Sequence, residues 1–224
     1  MTTLTTAPIA PLLTRLFADA EVSGAKFRVQ RAAAAPDAVR RAQGSDYRAF
    51  YLGPAKDIHL PVSAETGNLL YMLARSTGAR HIVEFGTSFG ISTIFLAAAL
   101  KDNGGGMLIG SEFEPGKVAQ ARANLRTAKL HEFVDIRDGD ALETLARDMP
   151  AAIDLVLLDG AKSLYPKLLE LLEPRLRVGA LIVADNADMC PEYVARVRSA
   201  NGGYMSVAVG DDVELSMKLP KATG

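Results

Sequence analysis

The chain has no tryptophan, one cysteine and three histidines among its 224 residues. A lone Cys190 cannot form a disulfide within the chain, which suits a reducing compartment, and the expected location is the cytoplasm. His59, His81 and His131 are too few for a histidine-rich zinc site. Charge of one sign is also lacking: 25 Lys and Arg stand against 26 Asp and Glu, a formal net charge of -1. Such a chain has no global attraction for nucleic acid or for an acidic membrane surface, and neither is expected as a partner. No apolar run approaches the length of a membrane span. The first residues, MTTLTTAPIAPLLTRLF, have no basic stretch ahead of their apolar part and are broken by Pro8, Pro11 and Arg15. They do not read as a signal peptide. There is no internal repeat, and no low-complexity tract beyond Ala32–Ala35.

What is present is alternation. Residues 9–50 read as helical and irregular. Ser63 can cap a helix over 64–76, stopped by Gly78. From there short apolar strands alternate with helices: strands at 81–85, 107–111, 134–137, 153–158 and 181–184, with helices at 92–100, 115–128, 141–147, 167–176 and 192–199. The run Ile153–Leu158 is apolar nearly throughout, as in a strand buried on both faces. The tail, GYMSVAVGDDVELSMKL, is two alternating runs around Gly210-Asp211-Asp212, an antiparallel hairpin. The expectation is an α/β fold: a doubly wound, seven-stranded, mostly parallel Rossmann-like sheet, with an antiparallel C-terminal hairpin and N-terminal helices. Residues 1–60 are expected as a helical extension, a substrate lid or a dimer contact, and residues 61–224 as the ligand-binding domain. Ligands of such sheets sit beyond the C-terminal strand ends.

The turn after the first strand, VEFGTSFGIST, contains Gly86-Thr87-Ser88-Phe89-Gly90. That matches G-x-S-x-G, which makes Ser88 a candidate hydrolase nucleophile. The hydrolase reading fits poorly, because only one strand precedes the turn and no histidine follows His131. The other reading is a cofactor loop. It asks for an acidic residue at the end of the next strand to bind ribose hydroxyls, and Glu112 stands there. The dinucleotide fingerprint is broken, since Ser88 replaces its middle glycine. A nucleoside cofactor without a pyrophosphate is favoured.

Taken in order, VEFGTSFGIST, Glu112, Gly139-Asp140-Ala141, LLDGAK and VADN resemble a class I S-adenosylmethionine (SAM) methyltransferase. They are most similar to the catechol and caffeoyl-CoA O-methyltransferase group, over roughly residues 60–219. The resemblance implies a SAM-dependent O-methyltransferase acting on a hydroxyl of a small, phenolic acceptor, often as a homodimer. It implies a cofactor site made from Val62, Glu84, Gly86, Ser88, Gly90, Ser92, Glu112, Phe113, Asp140, Ala141 and Asp159. It also implies a divalent cation (Mg, Mn or Ca) on Asp159, Asp185 and Asn186, an oxygen-only set that suits a hard ion. Lys162, three residues after Asp159, would be the general base. Gly160 and Ala161 stand where catechol enzymes carry bulky residues, and Met205 falls near the place of their acidic catechol contact.

Several of these residues carry a second reading. Glu84 either accepts from the methionine moiety of SAM or orders the loop, or is a structural carboxylate bonded to backbone amides. Ser92 is either a ligand or a helix N-cap. Asp140 opens D-x-x-E and reads as a capping box, Glu114 before Pro115 as a helix-entry residue, Phe113 as packing, and Lys162 as a solvated lysine. Asp159-Gly160 alone is a turn, and Asp185-Asn186 alone a cap or loop. Two other functions stay open: a NAD-binding oxidoreductase on a related sheet, and a SAM-binding protein without catalysis.

Overall fold

The computed structural model describes residues 2–33 and 47–220. Its elements are α1 (Ile9–Ala33), α2 (Tyr47–Leu52), α3 (Ala64–Ser76), β1 (His81–Phe85), α4 (Ile91–Asp102), β2 (Met107–Glu112), α5 (Pro115–Ala128), β3 (Val134–Asp138), α6 (Ala141–Thr144), β4 (Ile153–Leu158), α7 (Tyr165–Leu172), β5 (Leu176–Ala184), α8 (Pro191–Arg198), β6 (Tyr204–Val209) and β7 (Val213–Lys218), joined in places by single 3-10 turns. The seven strands form one sheet in the order β3-β2-β1-β4-β5-β7-β6. The first five are parallel, and β7 runs antiparallel to both β5 and β6. The doubly wound sheet and its closing hairpin are as expected.

Burial on both faces explains the apolar strands. Val83, Val156 and Ile182 join Leu168, Leu169, Leu172 and Tyr193 on one side of the sheet. Ile82, Leu155, Leu157 and Val183 join Leu70, Leu96 and Leu100 on the other. Helix α4 is buried along its whole first ten residues, because it lies between the sheet and the outer helices α1 and α3. A Cβ on Gly67 of α3 would come 2.7 Å from the Phe95 ring of α4, so that close packing requires glycine. Ser63 caps α3 by accepting from the Thr66 amide at 3.0 Å, as expected. Among the described residues no helix is long and apolar enough to cross a membrane.

Three boundaries differ from the sequence reading by three residues or more. Helix α6 ends at Thr144, not Arg147. The Arg137 guanidinium takes the carbonyls of Thr144, Arg147 and Asp148, so the chain can leave the helix without orphaned acceptors. Helix α7 ends at Leu172, and Glu173–Arg175 forms a 3-10 turn containing Pro174. Strand β5 begins at Leu176 rather than 181, with a register shift against β4 and Gly179 at φ +77°. That left-handed residue breaks the extended pattern in the sequence. Of the expected helical stretch at 9–50, residues 9–33 and 47–52 are helical; 34–46 lie outside the described residues.

The sheet reverses its winding between β1 and β4. Chain order runs outward from β1 through β2 to β3, and then returns to place β4 on the other side of β1. The C-terminal ends of these two strands, Phe85 and Leu158, therefore border the switch point where ligands bind in such folds.

Helix α1 is part of this packing. Ile9, Leu12, Leu13 and Leu16 share a buried cluster with Ile94, Phe95, Val118 and Leu125. Leu12 is 4% exposed, so Leu12→Ala should lower stability by about 2–5 kcal/mol in denaturant unfolding. A loss below about 1 kcal/mol would show that α1 does not belong to the core.

Candidate active site

Above the switch point lies a cavity of about 910 Å³, bordered by Gly86, Ser88, Glu112, Asp140, Asp159 and Lys162 among others. Its floor is the turn after β1. Three residues of this turn have positive φ: Gly86 at +97°, Ser88 at +48° and Gly90 at +84°. A Cβ on Gly86 would collide with the Asp159 carbonyl, so glycine is required for β1 and β4 to come this close.

Glu84 is fully buried beneath the turn. It accepts from three hydroxyls: Ser92 at 2.6 Å, Thr93 at 2.6 Å and Thr87 at 3.1 Å. Its partners are thus hydroxyls rather than the backbone amides of the structural alternative, and they tie the loop to the first turn of α4. The N-cap of α4 is Gly90, not Ser92. Ser92 directs its proton down to Glu84, while still bordering a small recess beside the loop with Ser88 and His59. Ser88 Oγ is buried without a hydrogen-bond partner among the described residues. It has no base, so the nucleophile arrangement is not built. An orphaned hydroxyl at a cavity wall is instead suited to a ligand atom.

Glu112 ends β2 and is 8% exposed. Its carboxylate accepts from the amides of Ser88 at 2.8 Å, Phe113 at 3.0 Å and Glu114 at 3.0 Å. This fixes the carboxylate against the turn, with remaining lone pairs for a diol. Glu114 caps α5 through the Lys117 amide at 2.6 Å, as its place before Pro115 suggested. Asp140 is the N-cap of α6, accepting from the Leu142 amide at 2.9 Å, and it also takes the Arg48 guanidinium. Val62 and Ala141 are buried at the cavity wall. Phe113 lies between the ring edges of Tyr47 and Tyr51, each 6.1 Å away.

The opposite wall carries Asp159, Lys162, Asp185 and Asn186. Lys162 Nζ donates to Asp159 Oδ1 at 3.4 Å and to the Tyr165 hydroxyl at 2.8 Å. It is not a solvated lysine: its side chain is 14% exposed. The Tyr165 hydroxyl reaches the carbonyls of Leu158 at 2.7 Å and Asp185 at 2.9 Å. Both carbonyls only accept, so the phenol's single proton belongs to them and a lone pair receives Lys162. Two of the three ammonium protons are thereby directed, and the third is free to face the cavity. Burial keeps the Tyr165 phenol neutral by raising it well above its ordinary value. Burial is also the main cause that raises Asp159 and Asp185, with Lys162 opposing in both; the Asp185 charge adds to the rise of Asp159 and the Asp212 charge to that of Asp185, which a hydrogen bond with Asp159 offsets in part. A crowded pair of carboxyls with one ammonium has a charge deficit that a cation would relieve. Asn186 donates its amide nitrogen to Asp212 at 3.1 Å, which leaves its oxygen uncommitted. Among the described residues no group of three or more His, Cys, Asp and Glu is arranged to hold a metal. The donor set is two carboxylates and one amide oxygen.

Known proteins resemble this chain in sequence and fold. Residues 83–187 match the model of a methyltransferase domain. Catechol O-methyltransferase of Niastella koreensis is 37% identical over 130 residues, covering 57% of this chain and 58% of that protein. Catechol O-methyltransferase of Mycobacterium tuberculosis is 35% identical over 127 residues, 57% of each. The chain thus spans a little over half the length of these curated relatives. The O-methyltransferase TomG from Streptomyces achromogenes, solved in complex with SAM, superposes with a TM-score of 0.65 at 28% identity, covering 78% of this chain and 89% of that one. In sequence and in fold the chain is thus similar to SAM-dependent O-methyltransferases. In this chain the matched stretch runs from inside β1 to just past β5, and so includes Glu84, Glu112, Asp140, Asp159, Lys162 and Asp185.

Sequence reading missed Tyr165, Lys117 and the aromatic face of α2. Tyr165 had a usable signal, since D-x-x-K continues to a tyrosine three residues on. Tyr47 and Tyr51 share helical i, i+4 spacing, but nothing local says which pocket they face.

The buried Glu84 carboxyl is raised by desolvation, opposed by its three hydroxyl donors. A raised folded value means that the folded chain keeps a proton the unfolded chain has released. Stability therefore falls as pH rises from the unfolded carboxyl range, about pH 4, through the raised value. Glu84→Gln has no such proton. Its denaturation midpoint should depend less on pH than that of the wild type over this range, and parallel profiles would remove Glu84 as the source.

Proposed function

We propose that the chain transfers a methyl group from SAM to a hydroxyl of a small phenolic acceptor. The observation that carries this reading is one cavity with two different walls: Glu112, held by three backbone amides, on one side, and Lys162 beside Asp159 on the other. SAM supplies a methyl group already activated by its sulfonium centre. The residues then have only to bind, align and deprotonate.

Glu112 would accept both ribose hydroxyls. Asp140 and Ala141 would border the adenine edge, and Phe113 its face. Gly86 would border the cofactor while letting β4 approach the turn, Gly90 lets the turn pack against Ala121 of α5, and Ser88 offers an uncommitted hydroxyl. Val62, Ser92 and Asp159 complete the amino-acid end. Glu84 would act from below, by ordering the turn. Asp159, Asp185 and Asn186 would hold a divalent cation, which would lower the pKa of a bound acceptor hydroxyl. Lys162 Nζ, fixed by Tyr165 and Asp159, would take the acceptor proton. Small Gly160 and Ala161 leave this wall open; a Cβ on Gly160 would strike the Phe85 ring. The relatives named for catechol support a phenolic acceptor. Residues 1–60 would act as a cover over this cavity or as a contact in a homodimer.

Two variants separate binding from chemistry. In calorimetry with S-adenosylhomocysteine, Glu112→Ala should lose roughly tenfold or more in affinity, as befits a charged hydrogen-bonding group. With catechol as acceptor, Lys162→Ala should lower turnover by about 10²–10⁴-fold while leaving S-adenosylhomocysteine affinity nearly intact. Comparable losses of both quantities in both variants would defeat the assigned roles. Binding of NAD in place of S-adenosylhomocysteine would defeat the methyltransferase reading itself.

A further inference from the structure

Helix α2 is six residues long and buries none of them fully. Its side chains meet the cavity's adenosine end as that end is read above. Tyr47 and Tyr51, one helical turn apart, present their rings edge-on to Phe113, at interplanar angles of 89° and 87°. Between them in sequence, Arg48 pairs with Asp140. Tyr51 has a second partner: the Lys117 ammonium lies 5.7 Å from its ring centroid and 5.6 Å from that of Phe89. Lys117 is 3% exposed, and its ammonium has neither a hydrogen bond nor an ion pair among the described residues. The two aromatic faces are its direct partners, and they stabilise a buried cation through their quadrupoles. Tyr51 thus bridges Phe113, after β2, to Lys117, in the first turn of α5.

These contacts have an uneven strength. The Arg48 guanidinium is 58% exposed, and an exposed ion pair holds only weakly. Edge-to-face aromatic pairs add an attraction of their own beyond the area they bury. Tyr47 and Tyr51 also pack against the edge of the main core cluster, and a helix this short can move off that edge without unfolding the sheet. The Tyr51 phenol also feels the Asp159 and Glu112 carboxylates and, with burial as the main cause, is pushed up to about 12. It remains a protonated donor at the cavity wall.

We infer that α2 is a wall of the cofactor site, with Tyr47 and Tyr51 closing over the adenosine end and Arg48 latching the closed position on Asp140. This rests on the SAM reading. It adds binding residues from outside the matched methyltransferase stretch, and it gives them a kinetic role in retaining the ligand.

The test is surface plasmon resonance on the full chain, with S-adenosylhomocysteine and, separately, adenosine. Tyr51→Ala should release S-adenosylhomocysteine about tenfold faster, and Arg48→Ala about threefold faster. Adenosine should lose affinity by similar factors. Arg48 is exposed, so its variant guards against a Tyr51 variant that fails to fold. Unchanged release in a folded Tyr51 variant and in the Arg48 variant would overturn the inference. Slower release would overturn it too, by showing that α2 competes with the ligand. A loss confined to S-adenosylhomocysteine, with adenosine unaffected, would place α2 at the wrong end. If the wild type binds neither ligand, the SAM reading falls and this inference with it.

Discussion

The close approach of β1 and β4 is the constraint on which the site depends. The Asp159 amide donates to the Phe85 carbonyl at 2.8 Å, and Gly86 lies where any Cβ would meet the Asp159 carbonyl. This backbone contact puts the turn that would hold the cofactor and the strand end that would hold the acceptor machinery side by side. It also forces the chain after β1 into left-handed conformations at Gly86, Ser88 and Gly90. A non-glycine residue in that region costs energy, so Ser88 must be compensated. The compensation comes from its neighbours: the Ser88 amide bonds Glu112, and Thr87 and Ser92 bond Glu84.

From that contact follows the site's electrostatic character. Glu84, Glu112, Asp159 and Asp185 are all buried or nearly so. Each is handled differently. Glu84 is met by hydroxyls and Glu112 by backbone amides, while Asp159 has Lys162 and Asp185 shares a hydrogen bond with Asp159. The first two are structurally satisfied. The second two share one ammonium, Lys162, so the pair lacks one positive charge. Such a deficit beside an oriented ammonium belongs with chemistry rather than with stability. A divalent cation and a ligand hydroxyl would fill that deficit in the same way, by supplying positive charge or a proton donor.

The sequence was most legible where topology does the assembling. A parallel sheet brings every strand's C-terminal end to one edge, so Glu112, Asp140, Asp159 and Asp185 meet there whatever the intervening helices do. The apolar run of β4 was readable because both faces are covered. Legibility failed where a distant side chain decides. Arg137 shortens α6 by capping its carbonyls, Gly179 hides the first half of β5, and Ser92 turns inward because Glu84 lies beneath it. Helix α2 shows the same limit from the other side, since its aromatic spacing is local but its target is not.

Tyr165 shows how a residue of the core can serve the site. Its ring is fully buried, edge-on to Phe85 at 6.3 Å and to Tyr193 at 5.7 Å, so its position is set by packing. Its hydroxyl touches the ends of β4 and β5 and the Lys162 ammonium at once. The two strands that carry Asp159 and Asp185 are thus joined through the same atom that orients Lys162. Any shift of one strand end would move the lysine relative to both carboxyls. Rigidity from the hydrophobic core therefore reaches the reacting end of the cavity through a single phenol, without requiring the polar groups there to hold one another.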